Sequence, residues 1–142
     1  MNCIAYKAGY KYQLKRDYSV DIDIHPDVLI NDIEYLTLTP EGKLTVKDGY
    51  AWDGPSGPTI DTLNFMRGSL VHDALYQLMR ERHLDHEKYR ETADRLLQKI
   101  CLEDGMSTIR AWWVYHGVRL GGGPAADPAS DKPIIYAPQG CQ

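Results

Sequence analysis

Two prolines and two glycines fall within five positions of this chain, Gly54-Pro55-Ser56-Gly57-Pro58. No helix interior and no central strand passes through such a run. Proline lacks an amide proton, and glycine weakens any regular element that contains it. A rigid loop is therefore expected between Tyr50 and Asp61, entered through Ala51-Trp52-Asp53. Beyond it, Leu70, Val71, Ala74, Leu75, Leu78 and Met79 recur at helical spacing without a breaker. That spacing predicts a first helix over Phe65 to Glu81. A loop with exposed carbonyls thus feeds a helix that carries the adjacent pair His72-Asp73, an arrangement suited to a cation or an activated water.

The chain before the loop reads as strand. Tyr10 to Ile24 alternates loosely, as one or two strands interrupted at Lys15-Arg16-Asp17 and ended by His25-Pro26. Tyr35 to Thr39 and Lys43 to Lys47 flank Pro40-Glu41-Gly42, which predicts a hairpin. The chain after the loop reads as helix. A second helix is expected over Glu87 to Glu103, with Gly105 near its C-cap. A third, capped by Ser107, is expected over Thr108 to Leu120 and stops at Gly121-Gly122-Gly123. Strands first and helices second predict an α+β fold: an N-terminal β-hairpin and antiparallel sheet, then three packed helices. One domain over residues 1–123 is expected, followed by an extended tail over residues 124–142. In that tail Ile134-Ile135-Tyr136 is the only sticky patch.

Bulk properties exclude several classes. A net charge of −4 with mixed signs leaves no basic footprint for nucleic acid. No apolar run approaches the roughly 20 residues that span a bilayer. The N-terminal residues lack a secretory leader pattern. Cys3, Cys101 and Cys141 are odd in number and scattered, which predicts free thiols rather than a disulfide framework or a zinc site. Ten Tyr and three Trp against one Phe suit half-wet surfaces and subunit contacts, so a homo-oligomer is expected. Trp112, Trp113, Tyr115 and His116 on the third helix are assigned to core and subunit contact. Arg110 and Arg119 are assigned to the surface.

His72 and Tyr76 are four apart and share a helix face, with Ser69 one turn earlier. Asp94 on the second helix can meet both across an antiparallel pair of helices. The set proposes His72 as general base, Asp94 as its orienter and Tyr76 as support for Asp94. Asp73 can hold a hard cation such as calcium, with carbonyls of Trp52, Gly54 and Ser56 and the carboxylate of Asp53 as further ligands. Standing beside this is a bland reading, in which His72, Asp73 and Asp94 form a buried polar brace registering two helices.

Two resemblances attach to these residues. Trp52-Asp53-Gly54-Pro55-Ser56-Gly57-Pro58, Ser69-Leu70-Val71-His72-Asp73-Ala74-Leu75-Tyr76, Ala93-Asp94 and Val118-Arg119-Leu120-Gly121 resemble a family of uncharacterised phage and prophage proteins. This implies phage origin, in the virion or in the cytoplasm of an infected bacterium, and by itself no activity. More distantly, the loop and His72-Asp73 with Tyr76 are similar to phospholipase A2. That resemblance implies an ester hydrolase with His72 as base, Asp73 as calcium ligand and Asp94 orienting His72, acting at a lipid or membrane surface. The cysteines that flank the pair in secreted members are replaced here by Ser69, Leu70 and Leu75. The alternative is a non-enzymatic structural protein of the phage particle that contacts other virion proteins. A third option is hydrolysis of a cell-wall peptide or phosphoester with another metal.

Overall fold

The computed structural model describes residues 4–6, 12–53, 62–131 and 134–140, with backbone alone for residues 4–6. The fold is α+β, strands before helices. Its main sheet has four antiparallel strands in the order β3-β6-β5-β4. These are β3 (Tyr18–Asp21), β4 (Ile30–Ile33), β5 (Leu36–Leu38) and β6 (Lys43–Val46). The hairpin expected around Pro40-Glu41-Gly42 joins β5 to β6, with Leu36 opposite Val46 and Leu38 opposite Leu44. All four side chains point to one face and are essentially inaccessible. The alternation of period two has sorted apolar from polar, as a half-buried sheet requires.

Strand β4 is not marked by the sequence pattern, and the register explains why. Ile30 pairs with Leu38 and Ile33 with Leu36, and the register shifts between them. Such a bulge places two inward residues three apart instead of two, which erases the period-two signal. Two short pairs flank the sheet. β1 (Ile4–Tyr6) runs antiparallel to β8 (Ile135–Ala137), and β2 (Tyr12–Gln13) runs antiparallel to β7 (Ala51–Trp52).

Helix α1 (Leu63–Arg80) lies at the centre. Leu70, Val71, Ala74, Leu75, Leu78 and Met79 join the inward sheet residues in one core. On another side α1 packs against α2 (His86–Glu103), and α2 in turn against α3 (Thr108–Gly121). Phe65, Leu97, Cys101, Met106, Ala111 and Val114 form the smaller core between these helices. Each fully buried Leu, Ile or Val side chain contributes about 1.5–3 kcal/mol. Ser107 caps α3 as its position predicts, its Oγ accepting from the Arg110 amide at 3.2 Å. After α3, the one-turn helix α4 (Gly123–Ala126) packs on α1, where Arg80 donates to the Ala125 carbonyl at 2.8 Å. The backbone of the Ile134-Ile135-Tyr136 patch pairs in part with β1 of the same chain.

Helices α1 and α2 end the same way with different residues. After α2, the Met106 amide donates to the Cys101 carbonyl and the Gly105 amide to that of Leu102, with Gly105 at φ +95°. After α1, the His83 amide donates to Leu78 and that of Arg82 to Met79, with Arg82 at φ +66°. Glycine adopts this left-handed geometry freely, whereas a side chain crowds its own carbonyl. Arg82→Gly is therefore expected to stabilise the protein by about 0.5–1 kcal/mol, after the entropy lost by glycine is deducted. Urea denaturation reads this directly, and a loss of stability would mean that Arg82 makes a compensating contact.

Candidate functional site

Two side chains of the strand before the loop fasten it to α1. The Tyr50 hydroxyl donates to Gln77 Oε1 at 3.0 Å, and Trp52 Nε1 donates to Ser69 Oγ at 3.2 Å. Pairing of β7 with β2, stacking of the Trp52 ring with that of Tyr50 and its tilted contact with that of Tyr12 hold this strand in place. Ser69 and Gln77 lie one turn to either side of His72 and Asp73, so the loop leaves Trp52 beside that pair. Asp53 follows, exposed. Gly54 and Ser56, expected as carbonyl ligands, lie outside the described residues.

His72 and Asp94 meet as the helix spacing predicts. His72 Nε2 is 2.7 Å from Asp94 Oδ1, and the Tyr76 hydroxyl donates to the same oxygen at 2.6 Å. The rings of His72 and Tyr76 pack at a tilt, with centroids 4.0 Å apart. An ionised carboxylate only accepts, so Nε2 carries the proton and Nδ1 of the neutral ring is left as the basic nitrogen. Asp73 is on that side, its Oδ1 3.9 Å from Nδ1. This distance is too long for a hydrogen bond and short enough for strong attraction to an imidazolium.

Two arginines complete the cluster, and the expectation of Arg119 as a surface charge is corrected. Its Nη1 donates to Asp94 Oδ2 at 3.0 Å. Arg110 is likewise tied into the fold, through Thr62 Oγ1 at 2.8 Å. Arg90, which the sequence reading passed over, donates through Nε to the Tyr76 hydroxyl at 3.3 Å. Its Nη2 donates to the carbonyls of Val118 and Arg119 at 2.9 and 2.7 Å. Arg90 thus caps the C-terminal end of α3 and brings Arg119 to Asp94. Gly122 permits the same approach: a Cβ there would sit 2.8 Å from the Tyr76 hydroxyl and 2.5 Å from the Val118 carbonyl. The available signal for Arg90 was its place one turn before Asp94 on the face of α2.

Asp94 is completely buried, and His72 is only 7% exposed. Burial pushes the Asp94 carboxyl up, but hydrogen bonds from His72, Tyr76 and Arg119 outweigh it and hold the group below its usual range. Burial pushes His72 down, but Asp73 and Asp94 reverse this and raise it. The Tyr76 phenol is raised by burial and by the carboxylate it serves. Stability linked to the raised His72 is complete below its ordinary value of 6.5 and is lost as pH rises through the higher folded value. Stability linked to the depressed Asp94 is complete above its ordinary 3.8 and is lost as pH falls through the lower folded value. Maximal stability from this pair is expected between pH 3.8 and 6.5. In denaturation midpoints measured against pH, His72→Phe is expected to remove the alkaline fall.

Asp73 offers a partly exposed carboxylate, a suitable hard donor for calcium. Among the described residues, no group of three or more His, Cys, Asp or Glu side chains is placed to hold a metal ion. A calcium ion at Asp73 would need further oxygens, for which the sequence offers the carbonyls of Trp52, Gly54 and Ser56 and the carboxylate of Asp53. Buried Trp52 would contribute to such a set through its backbone alone, because its indole is a donor held by Ser69.

An α+β domain whose first two helices are joined through a buried His–Asp pair, with a strand end fastened to the first of them through Ser69 and Gln77, is the class defined by this fold and site. The chain belongs to the family described as Protein of unknown function (DUF1353), whose model matches residues 28–118. The match spans His72, Asp73, Tyr76, Arg90 and Asp94 and ends one residue before Arg119. No curated protein and no solved structure matches the chain.

Proposed function

We propose that this protein is a phage-encoded, calcium-assisted ester hydrolase of the phospholipase A2 kind. The observation that carries the proposal is the orientation of His72, with Nε2 engaged by Asp94 at 2.7 Å and Nδ1 turned to the Asp73 side. A neutral imidazole held in this way takes a proton from water at Nδ1 while the water oxygen attacks the ester carbonyl. The same proton then passes to the departing alkoxide, which restores the neutral ring. Asp94 stays ionised and stabilises the transient imidazolium. Calcium, when bound, would supply positive charge to the carbonyl oxygen as it becomes an oxyanion.

One observation favours a second reading. Asp94 accepts from three side chains and is fully buried, as befits a brace between α1, α2 and α3. In that reading the protein is a structural component of the phage particle and its exposed aromatics contact other virion proteins or a second copy.

Calcium titration calorimetry on the wild type and on Asp73→Asn separates the two. The hydrolase reading expects binding by the wild type and a loss of at least about ten-fold in the variant, because a hard cation is held chiefly by its carboxylate. Absence of heat with the wild type would remove the calcium mechanism and leave the brace.

A further inference from the structure

Asp104 and Asp94 each hold an arginine, and they hold it differently. Arg67 meets Asp104 as a fork: its Nε donates to both carboxylate oxygens, at 3.2 and 3.0 Å, and its Nη2 donates to Oδ1 at 2.9 Å. A bidentate pair of this kind commits both oxygens to the guanidinium. Arg119 instead reaches Asp94 through Oδ2 alone, at 3.0 Å. Oδ1 is left to His72 Nε2 at 2.7 Å and to the Tyr76 hydroxyl at 2.6 Å. The first arginine makes an ion pair and nothing more, whereas the second leaves half of its carboxylate to a histidine.

The place of Arg119 is itself fixed. Arg90 Nη2 donates to the Val118 and Arg119 carbonyls at 2.9 and 2.7 Å, and Arg90 Nε lies 4.0 Å from Asp94 Oδ2. Helix α2 thus holds the backbone of residue 119 with one side chain and receives its guanidinium with another, one turn later. Two consequences follow for Asp94. The torsion that turns a carboxylate is broad, so a group bonded at one oxygen swings, whereas donors on both oxygens from α1 and α3 fix its plane. A fully buried carboxylate without a cation takes up a proton, and the guanidinium keeps this one ionised. Only an ionised carboxylate is purely an acceptor, which places the ring proton of His72 on Nε2. A protonated Asp94 donates to Nε2 instead and moves the ring proton to Nδ1.

The structure assigns Arg119 as the positioning residue of the His72–Asp94 pair: held in place by Arg90, it engages Oδ2, keeps Oδ1 on His72 and so keeps the ring proton on Nε2 and the lone pair on Nδ1. Arg119 acts on His72 through Asp94. The third helix thereby enters a site that the first two present, and its last turn sets which nitrogen is basic. The consequence for hydrolysis rests on the hydrolase reading, whereas the consequence for the tautomer does not.

Nitrogen NMR of the full chain with isotope-labelled histidine rings tells the two neutral tautomers apart at alkaline pH, and His72→Gln identifies the signals of His72. The wild type is expected to carry its proton on Nε2. In Arg119→Gln the ratio of the Nε2–H to the Nδ1–H form is expected to fall on the order of ten-fold, the equivalent of one hydrogen bond to a charge. Arg119→Lys keeps the charge without the planar fork and is expected to stay near the wild type. Arg90→Gln frees residue 119 without changing it and is expected to shift the ratio in the same direction as Arg119→Gln. In an ester assay, Arg119→Gln is expected to lower kcat by about 10- to 100-fold with KM unchanged, and Arg119→Lys to restore most of it. A ring that keeps the wild-type signature in folded Arg119→Gln overturns the inference, and, should that variant unfold, the same result in Arg90→Gln does so. A wild-type ring protonated on Nδ1 overturns it without any variant. A tautomer moved by Arg119→Gln in a protein that hydrolyses no ester supports the positioning and removes the hydrolase reading.

Discussion

Asp94→Ala is expected to lower folding stability by about 3–5 kcal/mol, the cost of breaking a buried ion pair from one side. The carboxylate is fully inaccessible and accepts from His72, Tyr76 and Arg119. Its removal leaves the Arg119 charge without its buried counterpart, takes the hydrogen bond of the Tyr76 hydroxyl and opens space between three helices. A domain of this size has about 5–15 kcal/mol in total, so the variant is expected to be marginal at best. Asp94→Asn separates charge from shape. With its oxygen kept toward Arg119, its amide takes the position that His72 and Tyr76 share, and the change is expected to cost about 1–3 kcal/mol. Its amide, however, can donate to His72 Nε2, which moves the ring proton to Nδ1 and disables the base. Urea denaturation followed by near-ultraviolet dichroism measures both. A loss below about 1 kcal/mol for Asp94→Ala would show that the cluster is solvated and that no buried charge is held there.

The sequence made the helices legible because α1 carries its apolar residues on nearly every side and lacks breakers. The pair of α1 with α2 then followed from a short connection, and with it the meeting of His72, Tyr76 and Asp94. Helical spacing is a local property, so it survives without knowledge of the fold. Strand β4 was not legible, because a bulge removes the period on which a strand is recognised. Arg119 was misassigned for a different reason. It lies 25 residues from Asp94 on another helix, and an arginine that buries its tip on a carboxylate looks the same in sequence as one in water. The anchoring of Trp52 to Ser69 joins two apolar-looking positions through polar atoms, and no periodicity reports that. The calcium expectation turns on loop carbonyls, whose direction depends on backbone angles rather than residue identity. Residue type offers Asp73 as a donor but does not arrange the remainder.

His72→Gln is expected to reduce calcium-dependent ester hydrolysis by about 10²–10⁴-fold, the usual contribution of a general base. Glutamine retains a donor for Asp94 and fills similar space, so the expected cost in stability is only about 1 kcal/mol, that of one exchanged hydrogen bond. This asymmetry separates base from brace. A brace predicts that stability tracks the Asp94 bond and that no rate depends on Nδ1. A base predicts a rate that collapses while the fold remains. The pH dependence adds a second discriminant. Asp73 and Asp94 raise His72 above 6.5, and only the neutral ring accepts a proton, so hydrolysis must climb with pH through that raised value. Over the same range the stability contributed by protonated His72 is lost. Activity and stability are therefore expected to run in opposite directions above pH 6.5. Rate and denaturation midpoint, measured on the same samples from pH 5 to 9 (a range of about two units to either side of neutrality), test this directly. A wild-type rate that equals that of His72→Gln at every pH would return the pair to a brace, and Asp94 would remain the residue on which the fold depends.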